Sequence, residues 1–214
     1  MTGKLENKSN IGRMFGSSST ICAFLCKKQR IHITGTNTKK GTVINMSYIE
    51  IKPEELSGNT FKMIGSDWML VSCADGEKFN TMTASWGGMG VLWGKNVAFV
   101  FIRPQRYTYE FTEKSDILTL SFFGGEMRDA LTLCGRKSGR DCDKVAEAGL
   151  TPYWIDEKSP AFSEAKVILK CRKMYADVLR EEAVVDSTVM NNYAAKDFHR
   201  VYVCEIEKIL LKED

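Results

Sequence analysis

Asn80-Thr81-Met82-Thr83-Ala84-Ser85-Trp86-Gly87-Gly88 is followed, one strand's length further on, by Arg103-Pro104-Gln105-Arg106-Tyr107-Thr108. The first stretch opens as alternating apolar and hydroxyl residues and ends in paired glycines, which is how a strand runs into a turn. Between the two lies VAFVFIR at 97–103, β-branched and aromatic throughout, the composition of a buried strand. Small hydroxyl residues, glycines and flanking arginines suit a phosphate-bearing ligand. The interleaved Trp86 and Tyr107 suit a flat ring.

The same pattern extends outward. The run at 68–74 (WMLVSCA) is bounded by Asp67 and Asp75-Gly76 and reads as a strand. So do 79–85 and 117–123, the latter stopping at Gly124-Gly125. Residues 165–175 and 199–211 read as long strands, with helix an open alternative over 165–182. Three short helices are expected, at 106–114, 126–133 and 141–148, the last two stopping before Gly135 and Gly149. Asp141 is placed as a helix cap. Six or more strands with a few short helices predict a mainly β fold, a small barrel with helical connections.

Composition sets bounds on function. The 214 residues, 43% hydrophobic and 27% charged, suffice for one domain with a real core. No apolar run reaches the roughly 20 residues that span a bilayer. Seven scattered cysteines with no C-x-x-C pair argue against a disulfide framework or structural zinc and fit a reducing, cytoplasmic setting. Two histidines, His32 and His199, leave no material for a His-based metal site or triad. Neither G-x-G-x-x-G after a strand nor G-x-x-x-x-G-K-[ST] occurs.

Charge is unevenly placed. Residues 1–45 carry eight Lys/Arg and one acid, against 22 basic and 26 acidic residues in 46–214. The mildly acidic body argues against a nucleic-acid surface. Residues 1–45 are basic, Ser/Thr/Asn-rich and without a periodic apolar face. Lys39-Lys40-Gly41 is encoded by AAR-AAR-GGN, a string that can hold a ribosome-binding core upstream of Met46. The expectation is that 1–45 is a mis-called start, the alternative being a disordered or targeting leader. Residues 46–214 are then the domain.

Three segments can carry chemistry. Hydroxyls and open backbone at Thr83-Ala84-Ser85-Trp86 can donate to phosphate oxygens, or can simply shape a turn. Arg103, Arg106, Tyr107 and Thr108 offer guanidinium forks and free N–H groups at a helix start, or a solvated strand end. Cys134-Gly135-Arg136-Lys137-Ser138-Gly139-Arg140-Asp141-Cys142-Asp143-Lys144 suits an anion, or is a solvated basic loop. Cys142, amid basic neighbours, would have a lowered pKa if exposed. Cys73, Cys171 and Cys204 lie in apolar strands and read as core.

Taken together these segments resemble the flavin reductase-like family, whose domain is the FMN-binding split β-barrel. Further support comes from Leu118-Thr119-Leu120-Ser121-Phe122-Phe123, Gly149-Leu150-Thr151-Pro152, Leu169-Lys170-Cys171-Arg172-Lys173-Met174-Tyr175 and His199-Arg200-Val201-Tyr202-Val203. The resemblance covers Ser47 onward and implies a homodimer binding FMN, or FAD. By motif it places Asn80, Thr81, Met82, Thr83, Ala84, Ser85 and Trp86 along flavin and ribityl chain. Ser85, Arg103, Arg106, Tyr107 and Thr108 would anchor phosphate and ribityl hydroxyls, with Ser138 to Lys144 closing the site. His199 is the one candidate for a catalytic role, at the flavin edge, its alternative being a hydrogen-bonded strand-end histidine. The reaction implied is NAD(P)H-dependent flavin reduction, the pyridine nucleotide binding transiently. Alternatives are a flavoredoxin-type electron carrier with a redox partner protein, and a non-enzymatic flavin-binding module.

Overall fold

The structure, a computed structural model, describes residues 30–36 and 43–213. Its strands are β1 (Arg30–Thr36), β2 (Val43–Ile51), β3 (Met69–Asp75), β4 (Lys78–Ala84), β5 (Gly87–Leu92) and β6 (Lys95–Ile102). After helix α1 (Tyr107–Lys114) come β7 (Ile117–Phe122), α2 (Arg128–Arg136) and α3 (Lys144–Glu147). A small hairpin, β8 (Pro152–Trp154) and β9 (Pro160–Phe162), leads to the long strands β10 (Val167–Val178) and β11 (Arg200–Lys212).

Among the described residues all pairings are antiparallel, and nine strands form one sheet: seven in the order β1-β2-β11-β10-β7-β3-β4, with β6 and β5 branching from β11. Strand β11 divides the barrel. Residues 200–205 pair with β6, which carries β5, while 209–212 pair with β2. Along its other edge β11 pairs with β10 throughout, with two register shifts.

Strand alternation explains the near-continuous apolar runs. Met69, Val71 and Cys73 face one core with Leu118, Leu169 and Tyr202. The intervening Leu70 faces a second core with Leu131, Phe162 and Ile168, beneath α2 and the β8–β9 hairpin. Both faces of β3 are therefore buried. Cys73, Cys171 and Cys204 are buried as expected, and desolvation pushes the Cys73 thiol up to about 12.

Residues 167–178 are strand, as expected, and the helical alternative falls away. Several other local expectations are corrected. Gly87, Gly88 and Gly90 do not end the chain's pairing but build β5. A Cβ on Gly87 would lie 2.8 Å from the Phe99 carbonyl oxygen, so the glycine permits close strand approach. Helix α2 runs through Gly135 to Arg136 rather than stopping before it, and that glycine packs against Thr83. Helix α3 is capped by Asp143, which accepts from Ala146 N at 3.0 Å, rather than by Asp141. Gly149, at φ +66°, follows α3 as a left-handed stop.

Strand β2 and the β8–β9 hairpin lay outside the sequence reading. Of the expected leader, residues 1–29 and 37–42 lie outside the described residues, and so do Cys22 and Cys26; Arg30–Thr36 is strand.

Candidate functional site

The C-terminal end of β4 and the chain that leaves it form one wall of a pocket of about 230 Å³. Met82, Thr83, Ala84, Ser85 and Trp86 line it, facing Phe101, Arg103, Arg106 and His199. Eight of these nine were singled out in the sequence. Phe101 was not, although its signal was present: with Phe99 it occupies the less buried face of β6, between fully buried Val100 and Ile102.

The remaining candidates lie elsewhere. Asn80 and Thr108 are buried, and Asn80 Nδ2 donates to Thr108 Oγ1 at 2.8 Å, tying β4 to the first turn of α1. Thr81 is fully buried within the sheet, accepting from Ser72 Oγ at 2.8 Å and donating to the Val71 carbonyl at 3.2 Å. Thr81 shares a face of β4 with Thr83, but its hydroxyl is taken up by Ser72 and the Val71 carbonyl. Thr83 Oγ1 in turn donates to the Leu131 carbonyl of α2. Tyr107 packs edge-on against Phe111, with the Arg140 guanidinium 4.7 Å above its ring. The loop after α2 rests on the same group: a Cβ on Gly139 would lie 2.3 Å from Asn80 Oδ1. Ser138 accepts from Arg140 N at 3.2 Å within that loop. Ser85, in contrast, faces the pocket with no hydroxyl partner among the described residues.

The two arginines, alike in sequence, differ in state. Arg103 is committed. Its Nη1 pairs with Asp197 Oδ2 at 2.5 Å, its Nη2 donates to the Asn192 carbonyl at 2.8 Å, and it lies 5.3 Å from the centre of the Tyr193 ring. Gln105 Nε2 reaches the same Asp197 oxygen at 2.5 Å. Arg103 thus holds the 192–199 segment against the pocket and has little capacity left for an anion.

Arg106 has no carboxylate partner among the described residues. Its one hydrogen bond is from Nη2 to the Cys134 carbonyl at 3.3 Å, and desolvation lowers its pKa. Lys144, 3% exposed, donates to the same carbonyl at 3.5 Å and to that of Lys137 at 3.3 Å. Burial, with Arg106 as a like-charged neighbour, pushes Lys144 down to about 8. Two desolvated cations therefore meet at one carbonyl with no counter-charge, a costly arrangement unless an anion joins them. Arg106 also occupies the N-cap position of α1 with no side-chain acceptor; the Tyr109 N–H is taken by the Arg106 carbonyl at 2.9 Å, which leaves the N–H groups of Tyr107 and Thr108 ahead of it.

His199 completes the opposite wall. It is 8% exposed, its Nδ1 lies 2.9 Å from Tyr193 Oη, and its ring is 5.0 Å from that of Trp86. Desolvation, with Arg103 as a nearby cation, lowers its pKa to about 4, so it is neutral at pH 7. Cys142 departs from expectation: desolvation and Glu147 raise its pKa, outweighing Lys137. Among the described residues no group of His, Cys, Asp and Glu is placed to hold a metal, and no helix is long and apolar enough to cross a membrane.

A family model described as "Flavin reductase like domain" matches residues 61–214. The chain belongs to the flavin reductase-like family. Solved structures with this fold include an FMN-binding domain of a flavin reductases-like enzyme from Shewanella baltica OS155 (14% identity, 78% of each chain, TM-score 0.55). Flavoredoxin of Desulfovibrio vulgaris (Miyazaki F) is similar at 19% identity over 76% of this chain and 78% of that one, TM-score 0.54. An NADH:FAD oxidoreductase of Streptomyces globisporus, solved with NAD and FAD fragments, is similar at 12% identity over 69% and 78%, TM-score 0.51. No curated protein sequence matches the chain significantly. The fold is thus the mainly β split barrel of flavin reductase-like proteins, and the expectation drawn from the motifs holds for family and fold.

Proposed function

We propose that this protein binds FMN in the pocket beside β4 and works as an NAD(P)H-dependent flavin oxidoreductase. The observation that carries the reading is the pair of desolvated, carboxylate-free cations, Arg106 and Lys144, meeting at the Cys134 carbonyl next to an aromatic-walled pocket. A phosphate monoester supplies the missing charge. Arg106, Lys144, the first turn of α1 and the Ser85 hydroxyl would hold phosphate and ribityl chain. Met82 to Trp86 would lie along the ring, with Phe101 and His199 opposite. Asn80, Thr108 and Tyr107 support this wall from behind, and Ser138 belongs to the loop that Gly139 seats on Asn80. FAD, whose phosphates offer the same charge, is the alternative cofactor.

Bound flavin supplies two-electron chemistry, taking electrons from a pyridine nucleotide and passing them to an acceptor. The chain's own residues bind and orient it; no nucleophile or acid–base dyad is required of them. An exposed apolar group supports a homodimer. Val91 and Trp93 (59% exposed) end the β5–β6 hairpin, and the ring of the half-exposed Tyr175 lies 6.4 Å from that of Trp93. A second reading, a carrier with permanently bound FMN serving a protein partner in the cytoplasm, is favoured by the likeness to flavoredoxin.

The test is to purify the full chain, record its visible spectrum with added FMN, and then add NADH or NADPH without oxygen. Flavin bands that bleach on nucleotide addition support the reductase. Flavin retained through gel filtration but not bleached favours the carrier. No flavin binding removes both.

A further inference from the structure

We infer that Tyr193 and Arg103 are positioning residues. They hold His199 in the tautomer with its proton on Nε2 and present that N–H to a hydrogen-bond acceptor on the cofactor ring. The second half rests on the flavin reading; the first concerns the free protein alone.

The assignment follows from proton accounting. Tyr193 Oη and His199 Nδ1 are 2.9 Å apart, and either can be the donor. Tyr193 is 4% exposed, and its hydroxyl has no other acceptor among the described residues. Were His199 to donate, the phenolic proton would be left buried without a partner, which costs more than the bond contributes. With Tyr193 donating, the buried phenolic proton is placed, and the one proton left over is that on Nε2, which faces the pocket. Arg103 lies 5.3 Å from the ring centre and fixes the phenol in place; burial raises the Tyr193 pKa, which keeps its proton on the hydroxyl, with Arg103 only partly opposing that rise.

The phenol is itself held. Its ring stacks on Phe198 at 4.6 Å and 22°, and Arg103 bonds to Asp197 and to the Asn192 carbonyl on either side of it. The imidazole is held between Tyr193, Trp86 and Phe101. Nε2 is its remaining polar atom, on a residue that lines the pocket, with no partner among the described residues. Because the ring stays neutral at pH 7, it offers one N–H without a charge. That suits a carbonyl or imine acceptor of the ring rather than the phosphate.

The chain holds two histidines, so a ¹⁵N-histidine two-bond proton–nitrogen correlation resolves each, and His199→Gln assigns them. The free full-length protein should show His199 protonated on Nε2 alone. Tyr193→Phe, which keeps the stacked ring and loses only the hydroxyl, should give a mixture of tautomers with an unchanged fold. An Nδ1–H tautomer in the parent protein, or an unchanged tautomer in Tyr193→Phe, overturns the inference. Adding FMN should shift the His199 Nε2 resonance. Tyr193→Phe should weaken FMN and riboflavin alike, about threefold to tenfold. Flavin binding with no shift at Nε2 overturns the second half and leaves the flavin reading intact. Absence of any flavin binding ends the flavin reading and the second half together, while the tautomer result stands.

Discussion

Arg106→Met separates a phosphate anchor from a structural arginine, because the two roles predict opposite signs in the free protein. Methionine keeps most of the apolar stem and removes the guanidinium. In the free protein that guanidinium is desolvated, has no carboxylate partner, and makes one long hydrogen bond of 3.3 Å to the Cys134 carbonyl. Removing it also relieves repulsion on Lys144. The free variant should be as stable as the parent, or more so.

The bound state behaves otherwise. A hydrogen bond between charged groups is worth about 1.5–3 kcal/mol, which is about a 10- to 100-fold loss in FMN affinity. Lys144 remains to carry part of the charge, so the lower half of that range is expected. Riboflavin, which has no phosphate, should lose at most about twofold. With FMN at 100 times the parent Kd, ligand stabilisation is about 2.7 kcal/mol; a 30-fold weaker variant retains about 0.9 kcal/mol. Fluorescence titration with both ligands, and thermal unfolding with and without FMN, read all of these. Equal losses for FMN and riboflavin, or a marked fall in stability of the free protein, would refute the reasoning.

Four further outcomes are expected. Lys144 titrates near 8 in the folded free protein against 10.5 as an ordinary lysine, so the unfolded chain holds more protons between those values and the free protein should gain stability across that window. FMN affinity should correspondingly fall above pH 8, by at most about tenfold per pH unit, and Lys144→Met should flatten both dependences. His199 has the opposite working range: held near 4 against 6.5, it should cost stability as pH falls from 6.5 toward 4, a loss that urea unfolding should find absent in His199→Gln. Gly139→Ala forces a methyl to 2.3 Å from Asn80 Oδ1; it should cost about 1–3 kcal/mol in thermal unfolding or lift the loop and weaken FMN. If the proposed dimer forms through the exposed hairpin end, Trp93→Glu should convert it to monomer by light scattering without unfolding the chain, and a parent protein that is monomeric refutes that interface.

Apolar runs bounded by turn residues made the barrel legible, because every strand from β3 onward that spans six residues or more, β4 and β5 apart, buries apolar residues densely enough to show in one dimension. Where side chains gave no such signal, reading failed. In β5 only Gly87 is pressed by a neighbour, the Phe99 carbonyl, and glycine in sequence looks the same whether it ends a strand or admits a close backbone. Gly135 misled in the same way, since it lies inside α2, packed against Thr83, rather than ending the helix. The site was legible as a set of residue types and illegible as a set of roles. Arg103 and Arg106 stand three apart and read as equivalent; Asp197, which neutralises only the first, lies 94 residues downstream. Charge in a site belongs to what remains after pairing, and pairing is tertiary. Lys144, last in a loop of basic residues, was the only one of them to be buried, through the turn that Asp143 caps. The anion site we propose is therefore composed of the two cations for which the fold supplies no carboxylate partner among the described residues.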